Sequence, residues 1–292
     1  MKKFIVYLLV IVVAVSLGFA VFFLVRDNEV ISISSATIYK DVQQPFTIDV
    51  NHYNKKSYTK ITVSISDETI VSYDSNTSTF KAEKGGIARI NFRTTNAKFR
   101  NLWCDVVVGD GSEESPFYIS TPEQLGAIGM GQADANGVYA GSSAYPLYTS
   151  DACYKLVADI DAKDINNGYW IPLRTFSGRL DGNGYTISNI NIDRDSYNAI
   201  ASQDGNTYDP NLFPSENVGM FQKITSKGCV YNLKLANVSA TGIYTSFGTI
   251  TAINEGTIER VEVKDAKLSV ETEIFGGLVA RNVTTEEGSN DT

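Results

Sequence analysis

A short motif that returns at a constant interval constrains the fold of this 292-residue chain more than any other feature. Gly219-Met-Phe, Gly248-Thr-Ile and Gly277-Leu-Val are equally spaced, and Val230-Tyr-Asn-Leu-Lys-Leu235 corresponds to Ile258-Glu-Arg-Val-Glu-Val263. A unit this small cannot bury its apolar face alone, whereas stacked copies can. The spacing therefore predicts a solenoid in which each strand pairs in parallel with its counterpart in the next coil.

An earlier copy of the pattern is Ile187-Ser-Asn-Ile-Asn-Ile192. Apolar residues alternate in each copy, so they are expected to face one continuous core. The predicted core positions are Ile187, Ile190, Ile192, Val230, Leu233, Leu235, Ile258, Val261 and Val263. We expect the first positions of the three copies (Ile187, Val230, Ile258) to form one buried column and the last positions (Ile192, Leu235, Val263) another.

The N-terminus carries an unbroken uncharged stretch from Phe4 to Val25, preceded by two lysines and followed by two acidic residues. As a helix it is ~33 Å long, which matches a bilayer core. The flanking charges place the N-terminus inside and the remainder outside. Residues 1–27 are expected to be an uncleaved anchor in the cell envelope. Cleavage after Ala20 is the alternative, and it would give a secreted protein.

Composition narrows the class of protein further. Asp plus Glu number 33 against 25 Lys plus Arg, and the acidic pI near 4.8 disfavours nucleic acid as a partner. The 23 glycines and 16 tyrosines favour strands and turns over helices. An all-β fold is therefore predicted after the N-terminal segment.

Residues 28–109 alternate apolar and polar side chains in about seven short runs, as in Ile61-Thr-Val-Ser-Ile65, which is typical of half-buried strands. The segments that carry a family resemblance are Asp67-Glu-Thr-Ile-Val-Ser-Tyr73, Phe80-Lys-Ala82, Gly86-Ile-Ala-Arg-Ile90 and Val106-Val-Val108. They resemble the bacterial Ig-like modules of intimin-type adhesins. The resemblance implies a β-sandwich that serves as a spacer.

A linker without apolar residues, Gly109 to Ser115, marks a domain boundary. Beyond it, Thr121 and Gln124 have the spacing of a capping box, which predicts one short helix. The apolar side of that helix, Leu125 and Ile128, needs a surface to cover. The uncovered end of a solenoid is such a surface.

Residues 110–292 carry a second resemblance through several motifs in order. The motifs are Gly111-Ser-Glu-Glu-Ser-Pro-Phe-Tyr-Ile-Ser-Thr-Pro-Glu-Gln-Leu125, Tyr154-Lys-Leu-Val-Ala-Asp-Ile-Asp161, Trp170-Ile-Pro172, Phe176-Ser-Gly-Arg-Leu-Asp-Gly-Asn-Gly-Tyr-Thr-Ile187 and Gly276-Gly-Leu-Val-Ala-Arg-Asn282. They resemble the region with GLUG-type repeats in large bacterial surface proteins, including the noncatalytic part of IgA-specific zinc metallopeptidases. This resemblance implies a right-handed parallel β-helix.

The search for catalytic chemistry predicts no catalytic residue and no cofactor. His52 is the only histidine, which excludes the H-E-x-x-H zinc motif, the Ser-His-Asp triad and the Cys-His pair. Asp159, Asp161 and Asp181 are conceivable as the acid and base of a glycosidase. Turn chemistry is the favoured interpretation, because Asp181-Gly-Asn-Gly184 contains residues that tolerate positive φ. The protein is predicted not to be an enzyme.

Binding residues are suggested by two long segments, residues 130–152 and 193–217, which are expected to be loops. Their tyrosines are candidates for stacking on sugars or contacting a protein: Tyr139, Tyr145, Tyr148, Tyr197 and Tyr208. Trp170 is expected in the core instead. Asp159, Asp161 and Asp164 are candidate calcium ligands, although structural turns are preferred because the spacing is not that of an EF-hand.

The three cysteines are too scattered for a disulfide framework or a zinc knuckle. We expect Cys104, Cys153 and Cys229 to be small buried apolar residues. One disulfide remains open in an oxidising compartment, and it would leave an odd thiol.

The function that follows is a noncatalytic surface protein that displays a β-helix for adhesion or surface assembly, with a surface glycan or protein as its ligand. One alternative is the N-terminal targeting and spacer region of a larger surface peptidase or hydrolase. Another is a carbohydrate-binding or carbohydrate-active β-helix. The repeat stops without a polar cap, so we expect either an incomplete chain or self-association and partner docking through the coil around residues 275–283.

Overall fold

The computed structural model describes residues 30–55, 59–95, 102–131, 144–201, 213 and 216–283. These residues are mainly β-strand, which confirms the predicted all-β class, and the chain divides into two compact units, Met1–Val108 and Gly109–Thr292. Within the described residues, no helix has the length and apolar character needed to cross a membrane. The predicted anchor, residues 1–27, lies outside them.

In the described part of the first unit, short strands are arranged in three sheets. The strands are β1 (Val30–Ile33), β2 (Thr37–Asp41), β3 (Pro45–Phe46), β4 (Val50–Tyr53), β5 (Ile61–Ile65), β6 (Val71–Asp74), β7 (Thr79–Ala82), β8 (Gly86–Thr94) and β9 (Leu102–Gly109). A four-stranded sheet has the order β2-β9-β8-β5, a three-stranded sheet has the order β3-β7-β6, and β1 pairs with β4. The registers of β5 with β8, β8 with β9 and β6 with β7 are antiparallel.

The two larger sheets share one apolar core. Phe46 and Phe80 come from the three-stranded sheet, and Phe92 comes from the four-stranded sheet. The ring of Phe80 lies 5.5 Å from that of Phe46 and 6.4 Å from that of Phe92. Each buried ring removes on the order of 150–250 Å² from water, so these contacts hold the two sheets together.

The structure has more strands in this unit than the sequence predicted. The strand Thr37–Asp41 was missed, although Ile65 and its neighbours were placed correctly in a strand. Ile38 packs against the core while Tyr39 is exposed, so the strand offers one aliphatic side chain to the interior. A single inward aliphatic residue leaves no period-two pattern to detect.

The described residues of the second unit form seventeen further strands. They are β10 (Phe117–Ile119), β11 (Cys153–Leu156), β12 (Ile160–Asp161), β13 (Leu173–Phe176), β14 (Arg179–Asp181), β15 (Thr186–Ser188), β16 (Asn191–Asp193), β17 (Asn217–Val218), β18 (Phe221–Ile224), β19 (Cys229–Tyr231), β20 (Lys234–Ala236), β21 (Ser239–Gly248), β22 (Thr251–Asn254), β23 (Thr257–Glu259), β24 (Glu262–Lys264), β25 (Lys267–Gly276) and β26 (Val279–Asn282). Helix α1 spans Pro122–Gly126, and helix α2 spans Arg194–Ala201. Helix α2 lies where a loop was expected. The sequence did not predict it, because one fully buried tyrosine, Tyr197, is too weak a signal for a helix.

Where the structure describes the second unit, its strands stack in four parallel sheets. Their orders are β10-β11-β14-β19-β23, β12-β15-β20-β24, β13-β18-β22-β26, and β16-β21-β17 with β25 also on β21. The registers in these sheets are parallel, as expected for successive copies of the repeat. The inward residues of the sheets join in one continuous apolar cluster.

Residues with positive φ turn the chain at the corners between strands. Asn189, Asn237 and Asp265 occupy equivalent positions at one corner, with φ of 60°, 53° and 54°. Asn232 and Arg260 occupy the corner before it, with φ of 54° and 52°. Asn and Asp adopt this left-handed conformation more readily than other non-glycine residues. Two successive corners of a coil therefore share one sequence pattern.

That shared pattern explains the error in the predicted columns: the pairing of Val230 with Ile258 and of Leu235 with Val263 is confirmed, but Ile187 and Ile192 belong to other columns. The observed columns are Leu180, Val230 and Ile258, then Ile187, Leu235 and Val263, and then Ile192, Ala240 and Leu268. The copy that begins at Ile187 was matched to the first corner of the next coil, but it belongs to the second. Sequence similarity alone does not distinguish two corners that follow the same alternation.

The repeat interval also needs a correction in the last two coils. Val218 lies opposite Phe247, which agrees with the predicted interval, but Phe221 lies opposite Thr251, one residue further on. Gly248 lies opposite Gly276, which makes the last step one residue shorter. The prediction had paired Gly248 with Gly277. Gly276 and Gly277 are adjacent, so Gly248 aligns equally well with either of them in the sequence.

Aromatic side chains fill much of the interior. The ring of Tyr154 lies 5.8 Å from Phe117 and 6.3 Å from Phe176, and Phe176 lies 5.0 Å from Phe221. Trp170 is 1% exposed, which confirms its predicted core position, and its Nε1 donates to the Met220 carbonyl at 3.1 Å. The buried indole therefore has the polar partner that its N–H needs.

The predicted helix cap is confirmed. The Thr121 hydroxyl accepts from the Gln124 backbone N–H at 3.2 Å, and the Gln124 side chain accepts from the Thr121 N–H at 3.2 Å. Leu125 of the helix and Ile128, which follows the helix, belong to the main apolar cluster, at 0% and 1% exposure. It therefore covers the interior at the first coil, as expected.

Replacing Thr121 with Ala should lower the free energy of unfolding by about 1 kcal/mol, because an N–H of the first helical turn loses its acceptor. Urea unfolding followed by Trp170 fluorescence in a Trp103→Phe background measures the change. Thr121→Ser keeps the hydroxyl and should remain close to wild type. An equal loss in both variants would contradict a capping role.

Candidate interaction surface

Two of the five loop tyrosines that were predicted to bind a ligand are core residues. Tyr148 and Tyr197 are each 1% exposed, so the prediction is wrong for both, because stacking on a sugar requires an accessible ring face. Tyr145 is partly buried against the same apolar cluster. Tyr139 and Tyr208 lie outside the described residues.

Tyr148 is buried because it joins the cap to the first coil. Its ring lies 4.7 Å from Phe117 and 4.9 Å from Tyr145, and Gln124 Nε2 donates to its hydroxyl at 3.3 Å. The segment before β11 thus supplies packing for α1. The sequence did not show that these tyrosines are buried, because the residues that cover them are distant along the chain.

The acidic residues that were considered for catalysis connect neighbouring coils. Asp159 accepts from the Thr186 N–H at 2.8 Å, and Asp161 accepts from Asn189 Nδ2 at 2.7 Å. The hydrogen bond from Asn189 lowers the pKa of Asp161 below its ordinary value. Asp181 accepts from Asn232 Nδ2 at 3.1 Å. These hydrogen bonds join the corners of neighbouring coils.

The candidate calcium ligands, for which the sequence favoured structural turns, are not brought together. No group of three or more His, Cys, Asp or Glu residues that could hold a metal ion occurs in the described residues, which include Asp159, Asp161 and Asp164. The first two bind separate groups of the next coil, and Asp164 begins a 3-10 turn at Ile165–Gly168. These residues are close in sequence, but their carboxylate oxygens do not surround one point.

All three cysteines are free. Cys104 is buried as expected, but Cys153 and Cys229 are half-buried on either side of Arg179 in one ladder. Two strand spacings separate them by roughly 9.6 Å, which is too far for the disulfide that the sequence left open. Burial raises the pKa of the Cys153 and Cys229 thiols, which disfavours the reactive thiolate.

An open cavity of about 520 Å³ lies beside the start of α2, a volume within the range of ligand sites. Its lining residues are Arg194, Ile243, Tyr244, Thr245, Glu271, Thr272 and Glu273. The Arg194 guanidinium lies 5.7 Å from the Tyr244 ring, and the Tyr244 hydroxyl donates to the Thr241 carbonyl at 2.7 Å. Burial raises the pKa of Tyr244. No sequence pattern pointed to this cavity.

A second open surface is formed by the last coil, Thr257–Asn282, which we call the end coil. It contains β23, β24, β25 and β26, and within the described residues each of these strands pairs along one edge only. The longest is β25, with ten residues. Unpaired N–H and C=O groups along a strand edge are a template for pairing with another strand.

The apolar columns of the core become accessible at the end coil. Val230 is fully buried, whereas Ile258 beside it is half-buried, and the same change separates Leu233 from Val261. Phe275 is 54% exposed although it stacks at 6.2 Å on the fully buried Phe247. The end coil therefore exposes apolar side chains at positions that are covered in the coil before it.

Charged residues of both signs lie along β25. Lys267, Glu271 and Glu273 are exposed and alternate with half-buried residues such as Val270. The sequence predicted self-association or partner docking around residues 275–283, a range that includes only the last two residues of β25. The alternation in Lys267-Leu-Ser-Val-Glu-Thr-Glu-Ile274 was the available signal.

Comparison with known proteins finds one weak similarity. Halomucin of Haloquadratum walsbyi is 28% identical to this chain over 169 residues, which cover 53% of the chain and 2% of halomucin. No family model and no solved structure matches the chain. The chain thus spans a small fraction of the curated relative that it resembles.

Proposed function

We propose that the protein is a noncatalytic surface protein in which an Ig-like sandwich carries a GLUG-type parallel β-helix for adhesion or surface assembly. The parallel stacking of β10 to β26 over one continuous core is the observation that carries this proposal. Such stacking makes a stiff element whose sides are available for contacts. A membrane anchor at residues 4–25, or secretion after its cleavage, is part of the same proposal.

The similarity to halomucin supports a surface location, because that protein is named as a mucin. It also favours a second candidate, in which this chain is a segment of a much larger surface protein. The small share of halomucin that is matched motivates that candidate. Sequencing the flanking DNA tests it, because an open frame that continues into further coils is expected for a segment.

Surface location predicts that protease added to intact cells digests the chain. An antibody against residues 28–292 detects the product, and a cytosolic protein serves as the control that must stay intact. Retention in the membrane fraction is expected for an anchor, and release into the medium for a cleaved signal. A chain that resists protease until the cells are lysed would refute the proposal.

A further inference from the structure

The outer face of the four-stranded sheet in the first unit carries an exposed tryptophan. Side chains alternate along β9, so that Cys104 and Val106 are buried in the sandwich while Trp103 lies on the opposite face and is 42% exposed. A tryptophan ring offers a large apolar surface and one N–H donor, and for that reason this residue is enriched where proteins meet their partners. The accessible part of the Trp103 ring is therefore available to a ligand.

The Trp103 ring is held in place by an ion pair on the same face. The guanidinium carbon of Arg89 lies 4.0 Å from the centre of the ring. The same guanidinium donates to the two carboxylate oxygens of Asp105 at 2.7 Å and 2.8 Å. These hydrogen bonds lower the pKa of Asp105, so the pair stays ionised at neutral pH. A ring positioned before the ligand arrives loses less conformational entropy on binding.

A second arginine on this face has no acidic partner. Trp103 lies opposite Asn91 in the ladder between β8 and β9, so Arg89 and Arg93 are its diagonal neighbours, with Cβ atoms about 7–8 Å away. Arg93 is exposed and forms no ion pair with another residue that the structure describes. Because Asp105 neutralises Arg89, the charge of Arg93 is in excess here, on a chain whose net charge is -8. The surface around Trp103 is thus complementary to an anion.

We propose that this face binds an acidic glycan, in which Trp103 stacks on the apolar face of a pyranose ring and Arg93 binds the carboxylate of a uronic acid. A guanidinium and a carboxylate form paired, charge-assisted hydrogen bonds. The amide of Asn91, between the two residues, supplies donors and an acceptor for hydroxyl groups. The site rests on the proposed adhesive function and deepens it by naming the class of glycan.

The charge pattern favours a glycan over a phosphate polymer. Nucleic acids are bound by many cations at once, whereas this face has one guanidinium that is not neutralised by a carboxylate. A single cation beside an aromatic ring matches a sugar that carries one carboxylate. The ligand class is therefore set by the combination of Trp103 and Arg93 and not by the total charge of the protein.

Fluorescence titration of the purified 292-residue chain in mild detergent tests the proposal. The probes are polygalacturonate, alginate and hyaluronan, each beside its carboxyl-reduced neutral form. We expect at least one acidic polymer to change the emission of Trp103. Its reduced form should bind roughly tenfold more weakly, because the charge-assisted hydrogen bonds are lost. Trp103→Phe should abolish the signal, since the other tryptophan, Trp170, is buried.

Calorimetric titration compares the affinities of the variants. Arg93→Gln should weaken binding roughly tenfold, and Trp103→Ala at least as much, because tryptophan and arginine dominate most binding surfaces. Trp103→Phe keeps an aromatic ring and should retain part of the affinity. Arg281→Gln is the matched control, since it removes the same charge from an exposed position of the second unit. Unfolding followed by circular dichroism verifies that each variant is folded.

Several outcomes would overturn the proposal. They are no binding of any of the three acidic polymers, equal binding of the reduced forms, and an Arg93→Gln variant that binds as tightly as Arg281→Gln. Equal affinity for poly-L-glutamate, which has carboxylates but no pyranose ring, would indicate a peptide ligand instead. Surface location is measured separately by protease treatment of intact cells, so these results would refute the glycan site and leave the proposed surface function in place.

Discussion

Replacing Leu233 with Asp is expected to unfold the second unit. Leu233 is 0% exposed and belongs to the continuous apolar cluster, at the corner between β19 and β20. An unpaired carboxylate there must be buried without a partner or protonated, and the isobutyl group is lost as well. Deleting a buried leucine side chain alone costs about 2–5 kcal/mol. The cost of burying the carboxylate adds to this, so the total loss is as large as most of the unfolding free energy of a typical domain.

Val261→Asp is the matched control, because Val261 occupies the same corner of the end coil and is half-buried. Its carboxylate can stay partly hydrated, so a much smaller loss is expected. Urea unfolding followed by Trp170 fluorescence compares the two in a Trp103→Phe background, at concentrations where the chain is monomeric. Losses of equal size would show that Leu233 is not in a closed interior.

Replacing Gly256 with Ala should lower the free energy of unfolding by roughly 2–3 kcal/mol, the range of overpacked cores. An added Cβ would lie 2.2 Å from the Gly228 carbonyl oxygen and 2.3 Å from that of Thr225. Both contacts are with backbone, so no side chain can rotate away. The spacing between two coils must increase instead, which weakens the ladder hydrogen bonds.

Gly277→Ala supplies the comparison for this prediction. A Cβ at Gly277 meets nothing within 4 Å, and its φ is not in the left-handed range. The substitution should change the free energy of unfolding by less than about 0.5 kcal/mol, as for most surface positions. Thermal unfolding followed by circular dichroism measures both variants. An effect at Gly277 as large as that at Gly256 would show that contact between coils is not the cause.

The close approach at Gly256 recurs along the solenoid. Gly178, Gly228 and Gly256 precede equivalent strands, and an added Cβ at each would lie within 2.6 Å of a backbone oxygen of a neighbouring turn. The sequence contains these glycines at unequal spacing, so it did not reveal a column. The requirement for a residue without a Cβ at these positions arises only when the coils stack.

Features that depend on residues close together in the chain could be determined from the sequence. The capping box formed by Thr121 and Gln124 joins positions three apart, and the alternation in β5 concerns one strand. Both follow from local geometry, which is the same in any fold that contains them. The all-β class follows likewise from many such local patterns.

Tertiary structure decided whatever depends on which distant segments meet. Ile187 lies beside Leu235 of the next coil and not beside Val230, because two corners of one coil share the same pattern. Tyr148 is buried because Phe117 and Gln124 surround it, and Asp161 is engaged because Asn189 of the next coil reaches it. Burial and pairing are properties of the stacked coils, so no window of sequence contains them.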